Sequence, residues 1–379
     1  MSGFFPDIRA AEGALQQEAF TRWQSMGDLR RREHWRWTPL DALRDDARRV
    51  ESADYPFDLP DAIGEDFGTF SDADRALLAL DDAAFAALNV ALLPDALQLT
   101  VPDDADIADI AALNIDLLAR RLQTSRIHIR AGKNSRSAFW IDYRVSRQGA
   151  QLPVITVDAA AGAQVDVALW FQGESGTAQV AQAAVQQANN SRVRLNALQA
   201  GGDLLRLDVH SELHGEGTHF AFGGVQLLAG SQIGDYHLNV RHLTENSESH
   251  QRVRGALNDA ALGIFDGMIY VAHGAQKTDA RQDSRYILLA DSARSHSVPR
   301  LEIYADDVQC AHGSTTGKVD EEALFYLRSR GIGYEAARKM LILSFLHEAV
   351  VVEHEALAEA VHQTISAVWL GDNDDSEAA

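Results

Sequence analysis

A chain of 379 residues, 46% of them hydrophobic, is long enough to bury a sizeable core in about two or three structural units. Its 34 basic residues stand against 55 acidic ones, a formal net charge of −21, which argues against a general nucleic-acid binder and leaves at most a local basic face around Arg30–Arg32. A single cysteine, Cys310, excludes an intrachain disulfide and any four-cysteine zinc or cluster site built by this chain alone.

The N-terminal MSGFFPDIRAAEGALQQEAF has an acidic residue inside its only apolar stretch and no basic start, unlike a secretory signal. No stretch approaches the roughly 18 consecutive apolar residues of a membrane helix, and a cytoplasmic protein is expected. Residues 1–122 read as an N-terminal helical region. Helix formers fill Ala10–Met26, and an Asp-bearing cap precedes an Ala/Leu-rich run in Ser71–Leu88. Asp104–Leu122 carries Ile107, Ile110, Leu113, Leu117 and Leu118 at near-helical spacing. His34–Leu40 (HWRWTPL) and Tyr55–Gly64, with their Pro, Gly and aromatic residues, read as structured connections.

From residue 123 to 318 the period changes to two. Segments such as FWIDYRVS, LPVITV, VDVALWF, LLRLDVH and YHLNVRHL alternate apolar with polar or small residues, separated by polar or Gly-rich turns. So long a run of short strands suits a sandwich, a barrel or a β-helix, and without an obvious fixed repeat the pattern does not choose among them. Residues 319–370 turn helical again. DEEALFYLRSRG has an acidic first turn and arginines before Gly331, and two further helices are expected over Gly333–Val352 and Glu353–Leu370. Residues 371–379, GDNDDSEAA, read as an acidic flexible tail.

One segment carries more than pattern. Leu301–Gly333, LEIYADDVQCAHGSTTGKVDEEALFYLRSRGIG, combines an acidic pair, Cys-x-His-Gly, a further Gly, an acidic cap and Phe-Tyr-Leu-x-Ser-Arg-Gly. In that spacing it resembles the C-terminal signature of the SufB/SufD family of iron–sulfur assembly proteins. VAHGAQKTDA (Val271–Ala280) with Leu288–Leu289, and SESHQRVRGAL (Ser247–Leu257) with Phe265–Ile269, fit the same family in the same order. HWRWTPL resembles its Trp-Arg-x-Thr element more weakly. Ala311, Ser314, Thr316 and Lys318 depart from the usual motif and leave Cys310, His312 and Gly313 in place. Within the family, length and cysteine count resemble those of the SufD branch, since SufB chains are generally longer and bring additional cysteines.

The resemblance implies a mainly β chain with a right-handed parallel β-helix core between two helical regions. It also implies a non-catalytic scaffold subunit of a SufBCD complex, pairing with SufB through the β-helix and binding the SufC ATPase through the C-terminal helices. In that setting a transient Fe–S cluster or iron is shared with SufB and none is bound alone. A contribution to iron acquisition, and a homodimer when SufB is absent, belong to the same expectation.

His312 follows Cys310 by two, so in a strand both side chains face one side, and a thiolate and an imidazole are competent iron ligands. The residues alone also fit a packed Cys310 and a His312 hydrogen-bonded at a strand end. The resemblance favours His312 at the interface with SufB, with Cys310 as the second candidate for cluster or metal contact in trans. Asp306 and Asp307 suit a turn better than an acid–base pair, and Glu321 and Glu322 suit helix capping. Candidate residues of the SufC-facing helices are Glu321, Leu324, Phe325, Leu327, Met340, Leu341 and Phe345. His210, His214, His219, His237, His242 and His250 are scattered without metal-site spacing and read as core or surface histidines. In Gly313–Gly317 no phosphate loop is met, since Val319 follows Gly317-Lys318, and the chain is not expected to hydrolyse ATP. Two other functional readings are a polysaccharide-active β-helix enzyme, which would need secretion and paired carboxylates on neighbouring rungs, and a self-associating structural protein.

Overall fold

The computed structural model describes residues 10–29, 32–43, 49–68, 77–78, 83–93 and 95–374. In chain order its strands are β1 (Arg49–Ser52), β2 (Phe57–Asp58), β3 (Gly64–Gly68), β4 (Ala96–Val101), β5 (Asp106–Leu117), β6 (Arg121–Ala131), β7 (Arg136–Val145), β8 (Ala150–Ala159), β9 (Gln164–Gly173) and β10 (Ala178–Gln187). There follow β11 (Arg192–Gly201), β12 (Leu204–Leu213), β13 (His219–Leu228), β14 (Ile233–His242), β15 (Glu248–Leu257), β16 (Leu262–Val271), β17 (Asp279–Leu288), β18 (Arg294–Ile303) and β19 (Gln309–Gly317). The helices are α1 (Ala14–Ser25), α2 (Ala84–Leu92), α3 (Glu321–Ser329), α4 (Tyr334–His347) and α5 (Glu355–Asp374).

Even-numbered strands from β4 to β18 pair in parallel in one sheet and odd-numbered strands from β5 to β19 in the other, so the chain changes sheet at every strand. Arg136, Gln164, Arg192, His219, Glu248, Asp279 and Gln309 stand in register on successive odd strands, which by residue number makes each coil 27 to 31 residues long. This is a parallel β-helix, as expected. Its coil length varies too much for a repeat to be visible in the sequence, yet one corner recurs. Asp104, Asn134, Asn190 and Asn246 take the left-handed backbone conformation there, with Gly162 and Gly217 in the same role. Asn tolerates that conformation, and Asn134 also donates from Nδ2 to Asp104 Oδ1 of the preceding coil at 2.9 Å.

Inward-facing residues of both sheets form the main core, including Phe139, Tyr143, Phe171, Phe220, Phe222, Tyr236 and Phe265. Buried glutamines stack through it, Gln179 donating to Gln151 at 2.6 Å and Gln151 to Gln123 at 2.8 Å, so the amide oxygens of Gln123 and Gln151 are satisfied from the next coil while Gln179 Oε1 has no partner among the described residues. Each outer sheet face is covered by a different end of the chain. α1, α2 and the segment around Trp35 pack on Leu122, Leu152, Val180 and Leu204 of the even sheet. α4 and α5 pack through Ile342, Leu346, Leu357, Val361, Ile365 and Trp369 on Trp170, Leu198 and Val225 of the odd sheet.

The helix expected over Asp104–Leu122 is instead β5 and the start of β6, so the helical region drawn to residue 122 contains strands from Arg49 onward and the parallel stack begins at Ala96. Ala111, Leu113, Ile115 and Leu117 are buried at a period of two, whereas Leu118 is 59% exposed. A register shift between Asp106 and Ile110 breaks the alternation there, and Ile107 and Ile110 thereby mimic a helical stripe. α1 lies within the expected Ala10–Met26. Most of residues 71–82, Arg30 and Arg31, and the tail from residue 375 lie outside the described residues. No described helix is long and apolar enough to cross a membrane.

Candidate functional site

β18 and β19 are the last strands of their sheets, and among the described residues nothing continues the stack beyond them. Cys310 and His312 lie on β19 opposite Ala280 and Gln282 of β17, both of which are buried inside the coil. Both side chains therefore face one side, as the spacing required, and that side is the interior of the last coil at its open mouth. Ser314 and Thr316 share this row, and Ser295, Ser297, Pro299 and Leu301 of β18 oppose it. Contacts cross the mouth from Ser295 to Thr316 at 2.7 Å and from Ser297 to Ser284 at 2.5 Å. The interior thus changes from the aromatic and aliphatic filling of earlier coils to hydroxyls, a thiol and an imidazole where it meets solvent.

The backbone adds a second asymmetry. Gln309 donates its N–H to Thr278 at 2.8 Å, so in this parallel ladder the alternate residues 311, 313 and 315 address β17, and the N–H and C=O groups of Cys310, His312 and Ser314 point away from it. In β18, Arg294 donates back to Ala261 and Tyr304 to Val271, which places Pro299 with its missing donor on the outer side. Proline is tolerated there because no ladder bond is lost, and it blunts this edge while the β19 edge stays continuous.

Cys310 is partly buried beside Ile269, Val271, Ala280 and Ala305. Desolvation pushes its thiol pKa up, the neighbouring Asp279 charge adds to this, and contact with the Ala280 backbone opposes it. A metal at this sulfur would first have to displace a proton. His312 is exposed. One thiol and one imidazole are fewer ligands than a tetrahedral iron requires, so any cluster held here needs ligands from another chain. Asp306 and Asp307 form the bend before β19, where Lys277 donates its N–H to the Asp307 carbonyl and Gln276 Oε1 accepts from Asp307 N at 2.9 Å. Both residues are exposed, and the contacts of Asp307 are those of a turn.

Asp320 caps α3 by accepting from the N–H groups of Glu322 at 2.9 Å and Ala323 at 3.1 Å, and Glu321 and Glu322 occupy the first turn. Of the residues expected on a partner-facing surface here, Phe325 and Met340 are exposed at 72% and 51% and Glu321 is exposed. Leu327, Leu341 and Phe345 are half-buried, with Arg254 over the Phe345 ring. Leu324 is buried at 2% exposure and so packs α3 instead of facing a partner. Tyr326 and Tyr334, not singled out from the sequence, join Phe325 and Met340 as exposed large side chains. The signature FYLRSRGIGY held them, but nothing in its periodicity separated the outer from the inner face.

The weakly recognised HWRWTPL segment is clamped onto the outer face of the even sheet. Arg206, fully buried, lies 3.7 Å from the Trp35 ring centroid and donates from Nη1 to the His34 carbonyl at 2.9 Å, to Thr38 Oγ1 at 2.6 Å and to Asp235 Oδ2 at 3.1 Å. Its other nitrogens hold Asp208 in a bidentate pair. Asp235 is buried, which raises its pKa, but the charges of His237 and Arg206 prevail and hold it below the usual carboxylate range. Trp37 stacks on His296 of β18, with ring centroids 4.3 Å apart.

The scattered histidines have separate fates. His242 is buried, its ring nitrogens within 2.7 and 2.8 Å of the Ser247 and Ser249 hydroxyls. His219 and His250 meet edge to face. His210 and His214 flank Glu212, and the His210 hydrogen bond above all holds its carboxyl down to about 2. His237 differs: it meets His34 and Asp266 in a cleft of about 550 Å3 on the outer face of the even sheet. Sequence spacing could not reveal this group, because its members come from the N-terminal segment, β14 and β16.

Comparison with known proteins places residues 115–345, more than half of the chain, in the family described as "SUF system FeS cluster assembly, SufBD core domain". The chain is 35% identical over 148 residues to the iron-sulfur cluster assembly protein SufD of Escherichia coli (strain K12), covering 39% of this chain and 35% of that protein. It is 34% identical over 158 residues to SufD of Bacillus subtilis (strain 168), covering 42% of this chain and 36% of that protein. Over a longer stretch of 317 residues it is 26% identical to Protein ABCI7, chloroplastic, of Arabidopsis thaliana, covering 78% of this chain and 63% of that protein. The matched stretch thus spans little more than a third of the length of the two bacterial relatives.

Proposed function

Because the chain belongs to the SufBD core family of the SUF system of iron–sulfur cluster assembly, and is most like SufD, we propose that it is the SufD-like scaffold subunit of a cytoplasmic SufBCD-type complex. It pairs with a SufB-like chain through the open end of the β-helix. It offers His312, with Cys310 beside it, to a nascent cluster or to iron whose other ligands the partner supplies. The exposed Phe325, Tyr326, Tyr334 and Met340 on α3 and α4 receive a SufC-like ATPase, which performs the hydrolysis. The same open end serves a second copy of this chain when the SufB-like partner is absent, and iron delivery to the growing cluster falls within the role.

The observation that carries this reading is the uncapped last coil. A continuous edge of backbone donors and acceptors on β19 and a polar, solvent-facing interior are what an added strand and its side chains would complete. Ser314→Pro tests it, since the lost N–H points away from β17 and the ladder within the chain is untouched. Co-expressed with SufB-like and SufC-like subunits, the variant chain should fold but fail to co-purify with the SufB-like subunit. Undiminished recovery of the complex would refute pairing through this edge.

A further inference from the structure

His237 on β14 and Asp266 on β16 are direct neighbours in register, so their side chains emerge side by side from the outer sheet face. His34 arrives from above, in the turn Glu33–Trp35, where Arg206 holds its carbonyl and the stacked Trp35 fixes the segment. One ligand atom from each of the three residues falls within 4.8 Å of the other two. Imidazole, imidazole and carboxylate on three separate elements, facing a cavity with room for further ligands, is a donor set suited to borderline divalent ions and poorly suited to the all-oxygen preference of calcium or magnesium.

Support from behind the cluster is already built. Nε2 of His237 lies 2.9 Å from Oδ1 of the fully buried Asp235, the carboxylate–histidine arrangement that orients a ligating ring and raises its basicity. Asp235 Oδ1 accepts no hydrogen bond among the described residues, which leaves this ion pair with His237 as its contact. Positive charge works against an ion: Arg300 is paired with Asp266 and is the natural competitor for that carboxylate, and Arg206 and Arg241 also line the cleft.

We propose that His34, His237 and Asp266 form a binding site for a divalent first-row transition-metal ion, with water or a small ligand in the cleft completing its coordination. The site stands apart from the terminal coil and from the family reading. No residue of β18 or β19 is a proposed ligand, and Arg300 acts only as a competing cation.

The test uses the full chain, stripped with chelator and dialysed against Zn(II) in air or Fe(II) without oxygen, with Mg(II) and Ca(II) as controls. Cys310→Ser/His312→Ala is the background, so that the other candidate metal residues are silent. One Zn(II) or Fe(II) per chain and no Mg(II) or Ca(II) is the expected stoichiometry. His237→Ala, His34→Gln and Asp266→Asn should each weaken binding about tenfold or more, and Arg300→Gln should tighten it severalfold. Substitution with Co(II) gives a second readout, in which each ligand variant shifts the visible absorption bands, and melting curves confirm that the variants fold. The proposal is overturned if the chain retains no ion after dialysis, if binding disappears in the Cys310→Ser/His312→Ala background, or if a folded His34→Gln/His237→Ala chain binds as the background does.

Discussion

Among the contacts that hold the C-terminal helices to the β-helix, one buried side chain has a removal cost that can be calculated. Asn196 on β11 is fully buried and makes four hydrogen bonds. Its Nδ2 donates to the carbonyls of Gly223 at 3.0 Å and Ala349 at 2.9 Å, and its Oδ1 accepts from the N–H groups of Val351 at 2.8 Å and Val352 at 3.1 Å. Asn196→Ala would leave three backbone groups of the connection between α4 and α5 without partners. Each buried orphan costs about 1–3 kcal/mol, and partial rehydration near the half-buried Val351 trims the total to about 4 kcal/mol. The loss should fall on docking of α4 and α5 more than on the coil, because Asp166 still holds the N–H groups of Glu353 at 3.0 Å and His354 at 2.6 Å. Hydrogen exchange should therefore show α4 and α5 exchanging hundreds of times faster while β7 to β15 stay protected. A change below about 1 kcal/mol in those helices, or equal loosening throughout the coil, would refute the clamp.

Two further outcomes follow from buried polar groups. Burial lowers the His242 pKa from 6.5 to about 4, so its contribution to stability is complete above pH 6.5 and is lost as pH falls toward 4, about 3 kcal/mol over that window. Denaturant melts of His242→Gln should show a correspondingly flatter pH dependence between 7 and 4, and an unchanged slope would contradict the assignment. Thr38→Val removes the hydroxyl that donates to Asp235 at 2.5 Å and accepts from Arg206 at 2.6 Å. It should cost about 2 kcal/mol and open the N-terminal segment to limited proteolysis, whereas wild-type resistance would show that the segment is held elsewhere.

Much of the architecture was legible because a coil of strands buries one side of each strand, and alternation marks that side directly. It failed where two periods coincide. DIADIAALNIDLL satisfies a helical stripe through Ile107, Ile110, Leu113 and Leu117, and only burial of Ala111 and Ile115 against exposure of Leu118 decides for a strand. The site was legible in part. A spacing of two put Cys310 and His312 on one side, but that this side is the interior of an uncapped coil depends on where the stack stops, which no local pattern encodes. Leu324 was placed outward because α3 is apolar on more than one face. The meeting of His34 with His237 and Asp266 depends on Arg206 drawing a distant segment onto the sheet, a contact between residues 172 apart in sequence.

The proposed role of the last coil is to present His312 to cluster chemistry shared with another chain. The most direct test is cluster formation on the complex with SufB-like and SufC-like subunits, reconstituted with iron and a sulfur source and followed by visible absorption and iron content. With His312→Ala the complex should assemble at full yield and form markedly less cluster. Cluster formation equal to wild type on an intact His312→Ala complex would contradict the account.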